Sequence, residues 1–269
     1  MRVLVGGGTG FVGRALTQLL RSRGHEVTHV SRQGGKDRIS WNDTTDAFCR
    51  EVISSRVETT RTLAKAIADA EQPPRAWVLV TGVGYYRPSP TVEYTEDSPG
   101  GDFDFFSRLV SSWEAAALIP GSPARGVVVR SGVVLGRGGG AVSQMLWPFR
   151  LGLGGPLGSG LQPFPWIHIR DLAGIVCHAL ESECLQGVLN GVSPSSHATC
   201  NGTFAQELAA ALGRPALLPV PAWAVQAVFG SERAVMLLEG QRVVPKHTLE
   251  SGYHFIFPDL SGTLKDIVA

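Results

Sequence analysis

The 269-residue chain has no block of basic residues, and its net charge is only +1. It offers no positive stripe of the kind that nucleic acid or an anionic membrane surface requires, so neither is expected as a partner. Its four cysteines, Cys49, Cys177, Cys184 and Cys200, form no C-x-x-C pair and have no zinc spacing with histidine. They read as ordinary thiols of a reducing compartment, and no metal is expected. Long apolar runs are also lacking, because the longest are too short or too broken by glycine and proline to span a bilayer. A strand-like run begins at Arg2 and leaves no room for a leader. These absences together lead to the expectation of a soluble, cytoplasmic protein. No internal repeat or long linker interrupts the chain, which is long enough to bury a substantial core in one large or two small domains.

What is present starts at the N-terminus. Arg2-Val3-Leu4-Val5 runs into Gly6-Gly7-Gly8-Thr9-Gly10-Phe11-Val12-Gly13. An apolar strand, a glycine turn and an amphipathic run form the start of a dinucleotide site. Gly7 makes the tight turn, Gly10 lets backbone approach a pyrophosphate, and Gly13 lets the next helix pack close. The first amides of that helix, with Thr9, Phe11 and Val12 around them, then face the phosphates. With 33 glycines in the chain the motif alone is weak. Its context strengthens it: Leu16, Leu19 and Leu20 repeat at helical spacing, Gly24 sits where a helix ends, and Glu26–Val30 reads as a second strand. A phosphate-binding P-loop is excluded, since Gly13-Arg14-Ala15 lacks its Lys and hydroxyl. The second strand runs out into Ser31-Arg32-Gln33, with no carboxylate before Asp37. An acid there would take an NAD ribose hydroxyl, whereas Arg32 can fork onto a 2′-phosphate and Ser31 can donate to it, so NADP(H) is the expected cofactor. The competing reading of Arg32 is a solvated surface residue.

Further along, the pattern predicts a short strand at 39–41, a helix over 51–70 and a strand at 76–80 ending in Thr81-Gly82. A loop with Tyr85-Tyr86 follows, then a helix over 102–118 and split strands at 126–130 and 133–135. A helix from Ala141, a Gly/Pro loop over 152–165, a helix over 171–180 capped by Asp171, and a strand at 187–190 complete the alternation. From Ser193 the pattern is mostly helical. Alternating strands and helices predict an α/β, Rossmann-like doubly wound parallel sheet with a small, mainly helical C-terminal substrate or cap region. The expected division is a dinucleotide-binding domain over 1–165 and an interleaved C-terminal region over 166–269, whose core cap is 194–269.

The glycine start resembles the extended short-chain dehydrogenase/reductase superfamily. Val80-Thr81-Gly82 with Tyr85-Tyr86, Trp113-Glu114, Arg130 to Gly136, Pro165-Trp166-Ile167-His168-Ile169 with Asp171, and Asn190 to Pro194 resemble its atypical, sugar-epimerase-like branch, the epimerase family proteins. The resemblance covers nearly the whole chain and implies NADP(H) at the N-terminal domain, with a substrate cleft under the C-terminal part. Members of the superfamily usually transfer hydride with a Tyr-x-x-x-Lys pair on a helix, the Lys lowering the tyrosine pKa. If Glu114 is the Glu that commonly lies beyond that Lys, Phe106 and Val110 occupy the Tyr and Lys places. None of the four tyrosines has Lys four residues on. Candidate substitutes are Thr81, at the C-terminal end of its strand, and Tyr86 (or Tyr85) in the next loop; the competing reading is that the tyrosines pack the loop. Arg130 and Gly136, with Arg137, are expected near the cofactor or substrate, Thr81 beside them. Ile53 and Glu58 are expected at the nicotinamide and ribose end. His168 and Asp171 read as structural residues.

One element of this fold is missing. The strand order 3-2-1-4-5-6 places a fourth strand beside the first. The residues between Trp41 and Glu51 contain no apolar run of strand length. About 20–25 residues, one helix and one strand, are absent there, unless Ala47-Phe48-Cys49 forms a stunted strand. An alternatively spliced or mispredicted product would account for this. The functional expectation is an NADP(H)-dependent oxidoreductase or epimerase acting on a small polar substrate. The alternatives are a non-catalytic NADP(H)-binding or sensing protein, or a truncated isoform with impaired cofactor binding.

Overall fold

A computed structural model describes residues 1–30 and 51–269. Ser31, Arg32, the strand expected at 39–41 and the segment up to Glu51, with Cys49, lie outside the described residues. Strand β1 (Arg2–Gly6) leads through the glycine turn into helix α1 (Phe11–Ser22), which returns the chain to β2 (Glu26–Val30), parallel to β1. Leu16 and Leu20 bury one stripe of α1, while Arg14, Gln18 and Arg21 share another face. The helix stops at Gly24, whose φ of +78° suits glycine. The amide of Gly24 donates to the Arg21 carbonyl and that of His25 to the Leu20 carbonyl, which satisfies the last turn.

A second parallel sheet has the order β3 (Ala76–Gly82), β5 (Arg125–Ser131), β8 (Gly187–Gly191). Val127, Val129 and Leu189 are almost fully buried on it. Helix α5 (Ile169–Glu181) covers one face and packs against α1, so both sheets share a single core with Val5, Leu16, Leu20, Leu172, Ile175 and Val176. The other face of the second sheet carries α3 (Phe105–Ala116), which is started by a capping box: the Asp104 carboxylate accepts from the Ser107 amide and the Ser107 hydroxyl from the Asp104 amide. Beside α3 lies a π-helical turn (Ser54–Glu58) running into α2 (Thr59–Ala68). The helix expected over 51–70 thus begins with a widened turn. Of its predicted apolar face Val57 and Ala64 are buried, while Ile53 is 40% exposed.

Among the described residues no strand pairs with the second edge of β1 or of β3. The expected continuous sheet is there divided into a two-stranded and a three-stranded part. Two further strand pairs were not foreseen. β4 (Ser89–Tyr94), inside the proline-containing loop, pairs with β9 (Gln241–Val243), and β6 (Val133–Leu135) pairs with β7 (Trp166–His168). β8 pairs with β5 and α5 covers the core, so residues 166–191 contribute to the sheet layers. Helix α4 (Gly140–Arg150), the loop before β7 and the C-terminal part form a second apolar cluster in which Phe149, Phe164, Trp166, Phe204, Leu208 and Leu264 meet. Among the described residues no helix is long and apolar enough to cross a membrane.

Asp171 does not cap α5. That position is held by His168, whose Nδ1 accepts the Arg170 amide. Asp171 is fully buried, and its carboxylate accepts the amides of Ile256 and Phe257 and the Tyr253 hydroxyl. It pins the C-terminal loop onto the sheet domain. Asp171→Ala removes the acceptor of the Ile256 and Phe257 amides and one of the two acceptors of the Tyr253 hydroxyl and is expected to destabilise the fold by about 2 kcal/mol, read as a lowered thermal midpoint, with Asp171→Asn losing less.

Candidate functional site

The glycine turn has the form the sequence implied. Gly7 has φ +69°, and its carbonyl accepts the Gly10 amide at 2.9 Å. A Cβ on Gly13 would lie 2.3 Å from the Gly7 carbonyl oxygen, so only glycine permits α1 to start this close to the turn. Gly10 is the N-cap of α1 and supplies no side-chain acceptor, and no acid sits in the first turn. The amides of Phe11, Val12 and Gly13 thereby point out of a helix end whose dipole favours an anion. This bare cradle fits a pyrophosphate. Thr9 is exposed at its rim, with its carbonyl held by Arg14 at 2.8 Å. Phe11 turns towards the loop after β6, where Cβ atoms on Gly136, Gly139 and Gly140 would fall within 3 Å of its ring. Gly136 therefore lies beside the turn, packed on Phe11 and Ile169.

On the β2 side of the turn a cavity of about 350 Å³ is lined by Gly8, Arg14, Thr17, Gln18, Arg21 and His29. His29 hydrogen-bonds Thr17 through Nε2 at 2.9 Å and closes on Gly8, where a Cβ would meet the imidazole at 2.4 Å. The sequence reading missed this basic recess. The signal was available in the spacing of Arg14, Thr17, Gln18 and Arg21, which places them on one helix face.

Thr81, Tyr86 and Arg130 are brought together, but by one another. The Arg130 guanidinium is 4% exposed and grips the Glu114 carboxylate at both oxygens, at 2.9 and 2.8 Å. Its Nη1 donates to the Tyr86 hydroxyl at 3.0 Å, and its plane lies 3.3 Å from the centre of the Tyr85 ring. Tyr86 is fully buried, and its hydroxyl donates to Asn190 Oδ1 at 2.8 Å. Thr81 is 7% exposed and donates to Glu114 at 3.0 Å. Burial pushes the Tyr86 phenol above its ordinary pKa, more than the Arg130 charge pulls it down. Burial also works against the charge on Arg130, yet Glu114 and Tyr86 hold its pKa above the ordinary value. Arg130 is committed to Glu114 rather than to an anionic ligand, Tyr86 is enclosed rather than presented to a cleft, and the Thr81 proton is already donated. At the Tyr and Lys places of α3, Phe106 is half-buried and Val110 buried.

The network extends through Asn190, part of the Asn190–Pro194 motif, to Glu96, which had no distinct signal in the sequence. Asn190 donates from Nδ2 to the Val244 carbonyl and from its amide to Glu96 Oε1. Glu96, 6% exposed, also accepts the Thr248 amide, and its second oxygen has no partner among the described residues. Glu58 lies on the surface, paired with Arg61 on its own helix at 2.5 Å, so it and the exposed Ile53 face solvent rather than converging on this cluster. Arg137 donates to the Asp266 carbonyl in the C-terminal helix. Among the described residues no cluster of His, Cys, Asp and Glu could hold a metal ion.

The doubly wound parallel layers and the bare glycine turn define a Rossmann-type dinucleotide-fold protein. A model of the NAD dependent epimerase/dehydratase family matches residues 3–73, and one of a domain of unknown function (DUF1731) matches residues 220–267. The epimerase family protein SDR39U1 of Bos taurus is 63% identical and that of Homo sapiens 61%, each alignment covering all of both chains. A crystal structure of the human protein (isoform 2) with NADPH superposes with a TM-score of 0.93 at 61% identity, covering 99% of each chain. A nucleoside-diphosphate sugar epimerase from Corynebacterium glutamicum gives a TM-score of 0.78 at 25% identity, covering 99% of this chain and 57% of that one. The chain belongs to the epimerase family that SDR39U1 represents.

Two outcomes follow from the side-chain network. Arg130→Met leaves the Glu114 carboxylate buried without its cation and is expected to cost about 3–5 kcal/mol, while Thr81→Val costs about 1 kcal/mol; urea unfolding measures both. His168 gives a pH dependence. Burial holds its imidazole below the ordinary 6.5, against the pull of Asp266 and Asp171. The unfolded chain then takes up a proton that the folded chain refuses, so stability falls as pH drops below 6.5. His168→Asn keeps a cap acceptor and should flatten this slope in melting curves recorded across pH 5–8.

Proposed function

We propose that this chain binds NADP(H) at the Gly7–Gly13 turn and acts as a dinucleotide-binding member of its family, without proton exchange through a tyrosine–lysine pair. The observation that carries this reading is a contrast. The glycine turn presents unsatisfied amides to a phosphate, while the hydroxyls best placed for acid–base work, Thr81 and Tyr86, are consumed in a buried network. General acid–base catalysis needs a group that can reach the substrate and change protonation near the working pH. A buried phenol with a raised pKa meets neither condition.

Preference for the phosphorylated cofactor is supported by Arg32 in the sequence and by the recess lined by Arg14, Arg21 and His29 beside the turn. When bound, NADPH would supply a hydride, and Gly7, Gly10 and Gly13 with the first amides of α1 would hold its pyrophosphate. The NADPH found with the human relative supports the same choice. A second reading, turnover of a small polar substrate by an oxidoreductase or epimerase, draws support from the sugar-nucleotide epimerase among the solved neighbours.

Titration of the protein with NADPH and NADH separates these possibilities. NADPH should bind more tightly, and Arg32→Ala should weaken NADPH about 10–100-fold while leaving NADH nearly unchanged. Equal losses for both would contradict the assignment of Arg32 to the 2′-phosphate. Substrate-dependent NADPH oxidation at 340 nm from a metabolite mixture, abolished by Thr81→Val, would favour the second reading.

A further inference from the structure

Two helices of the C-terminal half are apolar on both faces. In α4, Val142 and Phe149 are buried in the second apolar cluster, while Trp147 and, one turn on, Leu151 are exposed. In the helix Ala222–Phe229, Gln226 is the single polar side chain; Val225 is buried and Trp223 is exposed. A surface helix of a monomer keeps its outer face polar, and a helix that is apolar all round is covered on both sides.

The two outer faces belong to one surface. Leu153 follows Leu151 through a turn in which the Leu153 amide donates to the Pro148 carbonyl. Gly152 then lies against Pro215, and Gly155 sits so close to the Leu218 carbonyl that a Cβ there would not fit. The Gly158 amide donates to the Val220 carbonyl and the Val220 amide to the Pro156 carbonyl, which lays the segment leading to Trp223 alongside. Trp147, Leu151, Leu153, Leu217, Leu218 and Trp223 thereby share one side of the molecule, each between 50% and 76% exposed. Their exposed surface comes to about 800 Å², more than the largest apolar patch of a typical monomer and equal to the share of one partner in a standard interface.

The charge pattern selects the occupant. Arg150 is the single Lys, Arg, Asp or Glu over residues 138–169, and residues 215–231 hold none, in a chain of which 17% is charged. An anionic lipid surface draws on a cluster of cations, and a charged protein on a rim of opposite sign. These segments supply neither. About a two-fold axis a surface meets itself, so a charge near the axis faces its own kind. A face almost free of charge meets its copy without that cost. We propose that this chain forms a two-fold homodimer through the face made by α4, the loop after it and residues 217–223, with Trp147 and Trp223 as its anchors. Association requires no cofactor.

Sedimentation velocity of the full-length protein, run without NADP(H) across about a hundredfold range of concentration, should show a monomer converting to a dimer. Trp147→Glu and Leu217→Glu lie on separate segments of the face. Both side chains are exposed in the monomer, so each variant should keep the monomer's thermal midpoint and weaken association at least about tenfold. Either variant that keeps the midpoint suffices. Leu118→Glu, at an equally exposed leucine in the loop after α3, should dimerise like the parent. A monomer at every concentration, a dimer weakened by neither Trp147→Glu nor Leu217→Glu, or an equal loss in Leu118→Glu would each overturn the proposal. So would a monomer that co-sediments with phosphatidylcholine–phosphatidylserine vesicles and loses this in Trp147→Glu, because a lipid surface would then cover the face.

Discussion

The Arg130–Glu114 pair is the contact on which the rest of the structure depends. A buried ion pair adds little net stability, since desolvation offsets its attraction. Its value here is in fixing geometry. The two-pronged grip orients the guanidinium so that its third donor meets Tyr86 and its face lies on Tyr85. Tyr86 then carries the constraint to Asn190, and Asn190 carries it to Glu96 and the Val244 carbonyl. In this way α3, β5, the loop after β3, β8 and the C-terminal strand β9 are registered by one chain of hydrogen bonds. Its members are buried, so removing one leaves others without partners.

That network holds both acid–base candidates chosen from sequence. Thr81 sits at the strand end where such folds place ligands, and Tyr86 is in the next loop, as motif reasoning indicates. What the linear sequence does not display is that Glu114 and Arg130 converge on both. Arg130 looked like an anion site because its partner lies on a different element. The glycine turn was legible because its function is local: Gly7, Gly10 and Gly13 each answer a backbone constraint set within seven residues. Strands β1, β2, β3, β5 and β8 were legible for a similar reason, being short apolar runs bounded by turns. The pairing of β4 with β9 was not, since it joins segments about 150 residues apart and β4 is largely exposed. Asp171 shows the same limit. Its position suits a cap, but its partners are backbone amides more than 80 residues away.

The cofactor side and the proton-exchange side of this molecule thus diverge. The turn retains the features that bind a dinucleotide phosphate, with a basic recess beside it. Phe106 and Val110 carry no titratable group, and Glu114 is paired with Arg130.

The central claim is that Tyr86 is structural. Its most direct test is Tyr86→Phe, in which NADPH affinity and the chemical-denaturation midpoint are measured on the same preparation. Removing the hydroxyl unpairs a buried Arg130 donor and Asn190 Oδ1, so the account predicts a lower midpoint with NADPH affinity unchanged. An unchanged midpoint with loss of a substrate-dependent NADPH oxidation would contradict it.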